Sequence, residues 1–241
     1  MKLLLIRHGD PDYSIDSLTE RGHMEAKLLA ERIAPMDIKA YYTSPLGRAK
    51  KTAEYTLNKA GRTAEVLDWA REFTVLIDNG KGGKRIAWDM LPEDWTKVPE
   101  YYDKDKWTDV PVMKNADMSS GAAEVYDGLD RLLERHGYRR EGSLYRAVSP
   151  NEDTIALFCH FGVTCVMLSH LLGVSPMVLW HGTIAAPTSV TRVVTEERRE
   201  GIASFRMTEF GDISHLYKYN EQPAFAGRFC ETFANKDQRH D

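Results

Sequence analysis

The chain opens on an unbroken apolar run, Leu3-Leu4-Leu5-Ile6, that ends in the polar triplet Arg7-His8-Gly9. A short continuous apolar run reads as a strand buried on both faces, the kind found in parallel sheets. Similar runs occupy residues 38–43, 64–67 and 155–159, and two late ones occupy 189–194 and 202–207. The charged stretch 196–201 reads as the turn between that last pair. Elsewhere the apolar residues fall at helical spacing. Ala26, Leu29, Ala30 and Ile33 follow the candidate N-cap Thr19 and stop before Pro35. A second helix starts in Ser44-Pro45-Leu46-Gly47-Arg48 and runs to about residue 58. A third, over residues 162–172, carries Val163, Val166, Met167, Leu171 and Leu172 on its buried side. Strands alternating with helices predict an α/β fold, a three-layer sandwich with a mostly parallel central sheet and helices on both faces. No internal repeat or linker interrupts it, so residues 1–241 are expected to form one domain.

One segment breaks the pattern. Residues 79–120 contain Trp88, Trp95, Trp107, Tyr101, Tyr102 and many charges, without a sustained period. A stretch that long without regular structure is usually a functional lid or disordered, and its aromatic content argues against disorder. The expectation is an insertion that serves as a lid over the site.

Composition narrows the class. A net charge of -4 offers no electrostatic case for nucleic acid or an anionic membrane. No apolar run reaches the length of a membrane span, and Arg7 and His8 cut short the apolar start that would otherwise resemble a leader. Cys159, Cys165 and Cys230 lack metal-site spacing and leave one unpaired, which points to a reducing cytoplasm. Homo-oligomer formation is left open.

The candidate chemistry lies where strands end, the place where open α/β sheets build their sites. Arg7-His8-Gly9 ends the first strand, Ser44 to Ala49 follows the second, Glu72 follows the third, and His160 ends the fourth with Gly162 opening a helix. A neutral imidazole can attack phosphorus and form a phosphohistidine, splitting one hard transfer into two easier ones. Guanidinium groups, a second imidazole and helix N–H groups would neutralise the phosphoryl oxygens. A carboxylic acid would protonate the leaving alkoxide. No metal or cofactor is called for, and no metal-ligand pattern occurs.

These pieces together resemble the histidine phosphatase superfamily, the phosphoglycerate mutase-like family. The matching residues are Arg7-His8-Gly9, Leu18-Thr19-Glu20-Arg21-Gly22 with Glu25-Ala26, Thr43-Ser44-Pro45-Leu46-Gly47-Arg48-Ala49 with Thr52-Ala53, Glu72, and Cys159-His160-Phe161-Gly162-Val163. The resemblance implies a metal-independent phosphomonoesterase with a phosphoglycerate mutase-like fold, whose partner is a small phosphorylated substrate. It makes His8 the nucleophile and Glu72 the proton donor, and it places Arg7, Arg48, His160 and Phe161 around the phosphoryl group. A phosphoglycerate-type mutase and a non-catalytic phosphate-binding module are the alternatives. The chain departs from the family at Gly9-Asp10-Pro11, where Glu commonly follows the glycine, and at Phe161, where Gly is common and a narrower pocket is expected. Ser14 is the nearest residue to a loop position that is often Asn, and the stretch typical of mutases after Glu72 is missing.

Other polar residues have plainer readings. His23, His136, His170, His215 and His240 are read as surface or core residues, and so is His181 in preference to a pocket residue. Lys84 and Arg85 are read as a solvated loop in preference to a second anion site, and the insertion's tryptophans as anchors.

Overall fold

A computed structural model of the chain describes residues 1–225 and 232–235. Cys230 and His240 lie outside the described residues.

The elements run in chain order as β1 (Lys2–Arg7), β2 (Pro11–Asp12), β3 (Ser17–Leu18), α1 (Glu20–Ile33), β4 (Ala40–Thr43), α2 (Gly47–Ala60) and β5 (Ala64–Val66). Then come β6 (Leu76–Asp78), β7 (Lys84–Ile86), α3 (Pro92–Trp95), α4 (Pro111–Lys114), α5 (Met118–Arg135), β8 (Tyr138–Glu141) and β9 (Leu144–Ala147). The last are β10 (Thr154–Cys159), α6 (Phe161–Leu172), α7 (Pro176–Gly182), β11 (Val190–Arg199), β12 (Ile202–Asp212) and α8 (Ser214–Tyr217).

Eight strands form one sheet in the order β5-β4-β10-β1-β11-β12-β9-β8. The half holding β5, β4, β10 and β1 is parallel. From β11 to β8 every pairing is antiparallel. The expected α/β sheet flanked by helices is present, with its parallel character confined to the half that carries the site. The charged stretch assigned to a turn is instead the end of β11, and the chain reverses only at Glu200-Gly201, where Gly201 has a φ of +77°. The charged end of β11 runs past its pairing with β1 and is held by β12 alone, and an antiparallel pair tolerates charge on a solvated face, so polarity there does not signal a turn.

The core lies on both faces of the sheet. Leu4, Ile6, Phe158 and Ala156 pack against Leu29 and Ile33 of α1 and Ala53 of α2. On the other face Leu3, Leu5, Ile155 and Leu157 meet α5 and α6. Helix α5 escaped the sequence reading, although Met118, Ala122, Val125, Leu129, Leu132 and Leu133 make one apolar stripe along it.

The insertion is structured. It opens with the β6–β7 hairpin, and the short turns of helix that follow begin at Pro92, Pro99 and Pro111, each at the first turn, where a missing N–H costs nothing. Trp95, Tyr101, Trp107 and Met113 are buried in the larger core cluster. Trp107 meets Trp180 edge-on at 5.7 Å between ring centroids. The tryptophans therefore act as anchors, as read from sequence.

Candidate active site

Parallel pairing in register sets the site. Arg7 pairs with Cys159, so His8 and His160 leave neighbouring strands side by side. Their ring centroids are 5.0 Å apart. His8 N–H donates to Cys159 O at 3.0 Å, and Thr188 N–H donates to His8 O at 3.1 Å. Gly9 N–H donates to Thr52 Oγ1 at 2.9 Å, and that hydroxyl donates to Arg48 O at 2.8 Å. Thr52 thus ties the turn after His8 to α2. Gly9 and Gly22 let that turn press against α1: a Cβ on Gly22 would stand 2.2 Å from Asp10 O.

The His8 ring has one clear tautomer. Nδ1 lies 2.7 Å from Gly9 O, which can only accept, so Nδ1 carries the proton and Nε2 presents a lone pair. Burial, reinforced by the charge of Arg7, holds the His8 pKa well below its ordinary value, so the ring is neutral near pH 7. Arg48 Nε stands 3.4 Å from His8 Nε2. His160 is also buried and held neutral, by desolvation first and then by His8 and Arg48. Its Nε2 is 2.7 Å from Ser44 Oγ, which also accepts from Leu46 N–H at 3.3 Å. That arrangement sends the serine proton to Nε2 and leaves His160 Nδ1 as a buried N–H without a hydrogen-bond partner among the described residues.

Arg7 is buried and donates through Nη1 to Ala185 O. Glu72 sits at the start of α6. Its Oε1 accepts from Phe73 N–H at 2.8 Å and from Val163 N–H at 3.0 Å. A helix N-terminus favours a carboxylate, but desolvation outweighs these bonds and the nearby Arg7, and the Glu72 pKa is raised. A Cβ on Gly162 would meet Glu72 Oε1 at 2.6 Å and Trp88 Nε1 at 2.8 Å. Glycine there lets the acid and the first tryptophan of the insertion close against α6. Phe161 is partly exposed on the first turn of that helix.

The structure thus gathers His8, Arg7, Arg48, His160 and Glu72, with Phe161 beside them. It holds a buried neutral imidazole whose Nε2 lone pair accepts only a long bond from Arg48 Nε, two guanidiniums and a partly desolvated carboxyl group. That set can take a phosphoryl group onto nitrogen and protonate an alkoxide.

Asp16 is the residue that sequence reading missed. Its Oδ1 accepts from Arg48 Nη1 and its Oδ2 from Gly47 N–H, both at 2.6 Å. Burial pushes its carboxyl up, but these bonds outweigh it and hold the pKa below the usual range. Asp16 takes a φ of +47°, and a Cβ on Gly47 would clash with Asp16 O at 2.2 Å. Tyr13 lies over the Arg48 guanidinium at 5.4 Å. Ser14, the position expected from the family pattern, is exposed and bonds to Asp12 instead. An Asp three residues before a helix N-cap carried the only available signal, and it read as a turn residue. Glu25 is fully buried and accepts from Asp10 N–H at 2.9 Å and Ala224 N–H at 3.1 Å. It braces the turn after His8 and the segment ending at residue 225 against α1.

Comparison with known proteins agrees with this geometry. The profile of the Histidine phosphatase superfamily (branch 1) matches residues 3–208. The Schizosaccharomyces pombe protein named "Probable phosphatase C1687.21" is 41% identical over 231 residues, 90% of this chain and 95% of that protein. A 2,3-bisphosphoglycerate-dependent phosphoglycerate mutase of Brucella ovis is 34% identical over 162 residues, 60% of this chain and 74% of the mutase. The crystal structure of a phosphoserine phosphatase mutant of Entamoeba histolytica, in complex with phosphoserine, superposes with a TM-score of 0.61 at 19% identity, covering 89% of this chain and 98% of that one. The fold and site define an α/β protein with a histidine-centred crevice at the ends of parallel strands. The chain belongs to the histidine phosphatase superfamily.

Proposed function

We propose that the protein is a metal-independent phosphomonoesterase that works through a phosphohistidine at His8 Nε2. The observation that carries this reading is the His8 tautomer, with Nδ1 fixed on Gly9 O and Nε2 turned to Arg48. In the first step the Nε2–phosphorus bond forms and the bond to the leaving oxygen breaks. Arg7, Arg48, His160 Nδ1–H and the N–H of Phe161 at the start of α6 take the charge of the phosphoryl oxygens. Glu72 gives its proton to the leaving oxygen. In the second step the Glu72 carboxylate takes a proton from water, whose oxygen attacks phosphorus and releases phosphate from His8.

A mutase must hold the phosphoenzyme away from water until it returns the group to substrate. Tyr13 and Ile15, in the loop that carries Asp16, are each 69% exposed, which supports a mouth that does not shut out water and so favours hydrolysis. Trp88, partly buried, shares the close approach at Gly162 with Glu72, which supports reading the insertion as a lid on the leaving-group side. Among the described residues no helix is long and apolar enough to cross a membrane. Buried free thiols at Cys159 and Cys165 support a reducing cytoplasm. The test is phosphorus NMR of 3-phosphoglycerate and 4-nitrophenyl phosphate incubated with the enzyme. Accumulating inorganic phosphate supports the phosphatase; 2-phosphoglycerate forming without phosphate release supports the mutase.

A further inference from the structure

Beyond Glu72 lies a cluster of polar atoms that the chemistry above leaves unused. It comprises Arg85 of β7, Asp89, Trp95 of α3 and His181 of α7. The His181 ring stacks on Trp95 with centroids 4.9 Å apart. His181 Nδ1 donates to Met177 O at 2.8 Å, which leaves Nε2 as an acceptor. Burial holds the His181 pKa below its ordinary value, so that acceptor persists near pH 7. Arg85 Nη2 reaches Asp94 Oδ2 across 3.7 Å, and the Asp89 carboxylate acts on both Arg85 and His181.

Three buried atoms here have no hydrogen-bond partner among the described residues: Arg85 Nε, Trp95 Nε1 and His181 Nε2. Buried polar groups are almost always paired, and His160 Nδ1, inside the phosphoryl site, has the same trait. The cluster also lies on the leaving-group side. Trp88 abuts Gly162 together with Glu72, and Asp89 is the next residue. Trp180 Nε1 donates to Gly162 O at 3.0 Å, and His181 is the next residue.

We propose that this cluster is a subsite for the hydroxyl groups of a polyol or sugar leaving group. The proposal rests on the phosphatase reading and adds the class of alcohol released. A hydroxyl both donates and accepts, so neighbouring hydroxyls match two N–H donors set among the His181 lone pair and the Asp89 carboxylate. A carboxylate only accepts, and here it would face that lone pair and two aspartates beside a single, already paired arginine. An alkyl group would leave both donors buried and unpaired, the condition under which sites reject analogues that lack a hydroxyl.

The test measures kcat/KM for sorbitol 6-phosphate, hexyl phosphate, phosphoserine and 4-nitrophenyl phosphate. The wild type is compared with Trp95→Phe and His181→Phe, which keep an aromatic pair; the first removes Nε1, the second removes Nε2 together with the Nδ1 bond to Met177 O. The wild type should favour sorbitol 6-phosphate over hexyl phosphate and phosphoserine. Each variant should reduce the preference over hexyl phosphate by roughly 3- to 10-fold, the worth of one hydrogen bond, with 4-nitrophenyl phosphate turnover within about twofold of wild type. Two variants keep the test intact if one fails to fold. Preference for hexyl phosphate or phosphoserine, or an equal loss on every substrate, overturns the subsite while the phosphatase reading stands. Absence of turnover on all four by the folded wild type overturns both.

Discussion

Glu72→Gln isolates proton donation from the rest of the site. The amide oxygen can take over the bonds from Phe73 and Val163 N–H, at 2.8 and 3.0 Å, so the side chain should stay where it is. Because Oε1 accepts both bonds, the proton of the acid form belongs on Oε2, and in the variant an NH2 group stands there. That group can hydrogen-bond the leaving oxygen but cannot give it a proton. General acid catalysis contributes about 10²- to 10⁴-fold, or about 2.7–5.5 kcal/mol of barrier. Alkyl phosphates should lose that much in kcat/KM, which reports the phosphorylation step and not the later hydrolysis that Glu72 also assists, and 4-nitrophenyl phosphate, whose phenolate leaves without help, less than about tenfold. The pH profile supplies a second readout. The raised Glu72 pKa means the acid form persists above the usual carboxylate range and is lost as pH rises through it. The depressed His8 pKa means the nucleophile stays neutral below its usual range and is lost only as pH falls through it. Wild-type activity on an alkyl phosphate should be bell-shaped, and Glu72→Gln should remove the basic limb alone. Stopped assays of phosphate release across a leaving-group series would check both. Equal losses on alkyl and aryl esters, or an unchanged basic limb, would refute Glu72 as the acid.

Asp16→Ala should lower kcat on 4-nitrophenyl phosphate by roughly tenfold, because misplacing a charged group beside the nucleophile costs orientation; kcat unchanged or raised would mean that Asp16 merely competes with phosphate for Arg48. Gly22→Ala puts a methyl 2.2 Å from Asp10 O. It should destabilise the fold by about 2 kcal/mol or more and lower Tm by roughly 4–8 °C in a calorimetric scan, and a Tm equal to wild type would contradict that packing. Activity after extended dialysis against a chelator should match the untreated enzyme, since the positive field comes from arginines and N–H groups; a loss restored by one divalent ion would contradict the assignment.

The strand-end chemistry was legible because buried parallel strands are continuous apolar runs, and a polar residue closing such a run has few places to go. His8 and His160 could be placed that way. Glu72 could not be placed so firmly, since its location depends on how α6 begins; the Val163 N–H bond and the close approach at Gly162 show that they meet. Asp16 and Glu25 were illegible for a related reason: each acts across a loop on a backbone N–H that carries no sequence signature. The hairpin of β8 and β9, which ends the antiparallel half of the sheet, also went unread, whereas the pair that became β11 and β12 was read. The unread strands, such as Tyr138–Glu141, are short and charged, and pairing at a sheet edge leaves little hydrophobic pattern. The insertion looked irregular because its helices last one turn each, too briefly to show a period.

The central claim is covalent. Rapid mixing with a radiolabelled phosphate ester, followed by a base quench, should trap label on the wild-type protein that is stable to alkali and released by acid. Peptide mapping should place it on His8, and His8→Ala, folded but inactive, should carry none. Equal labelling and turnover in His8→Ala, or label on another residue, would contradict the account.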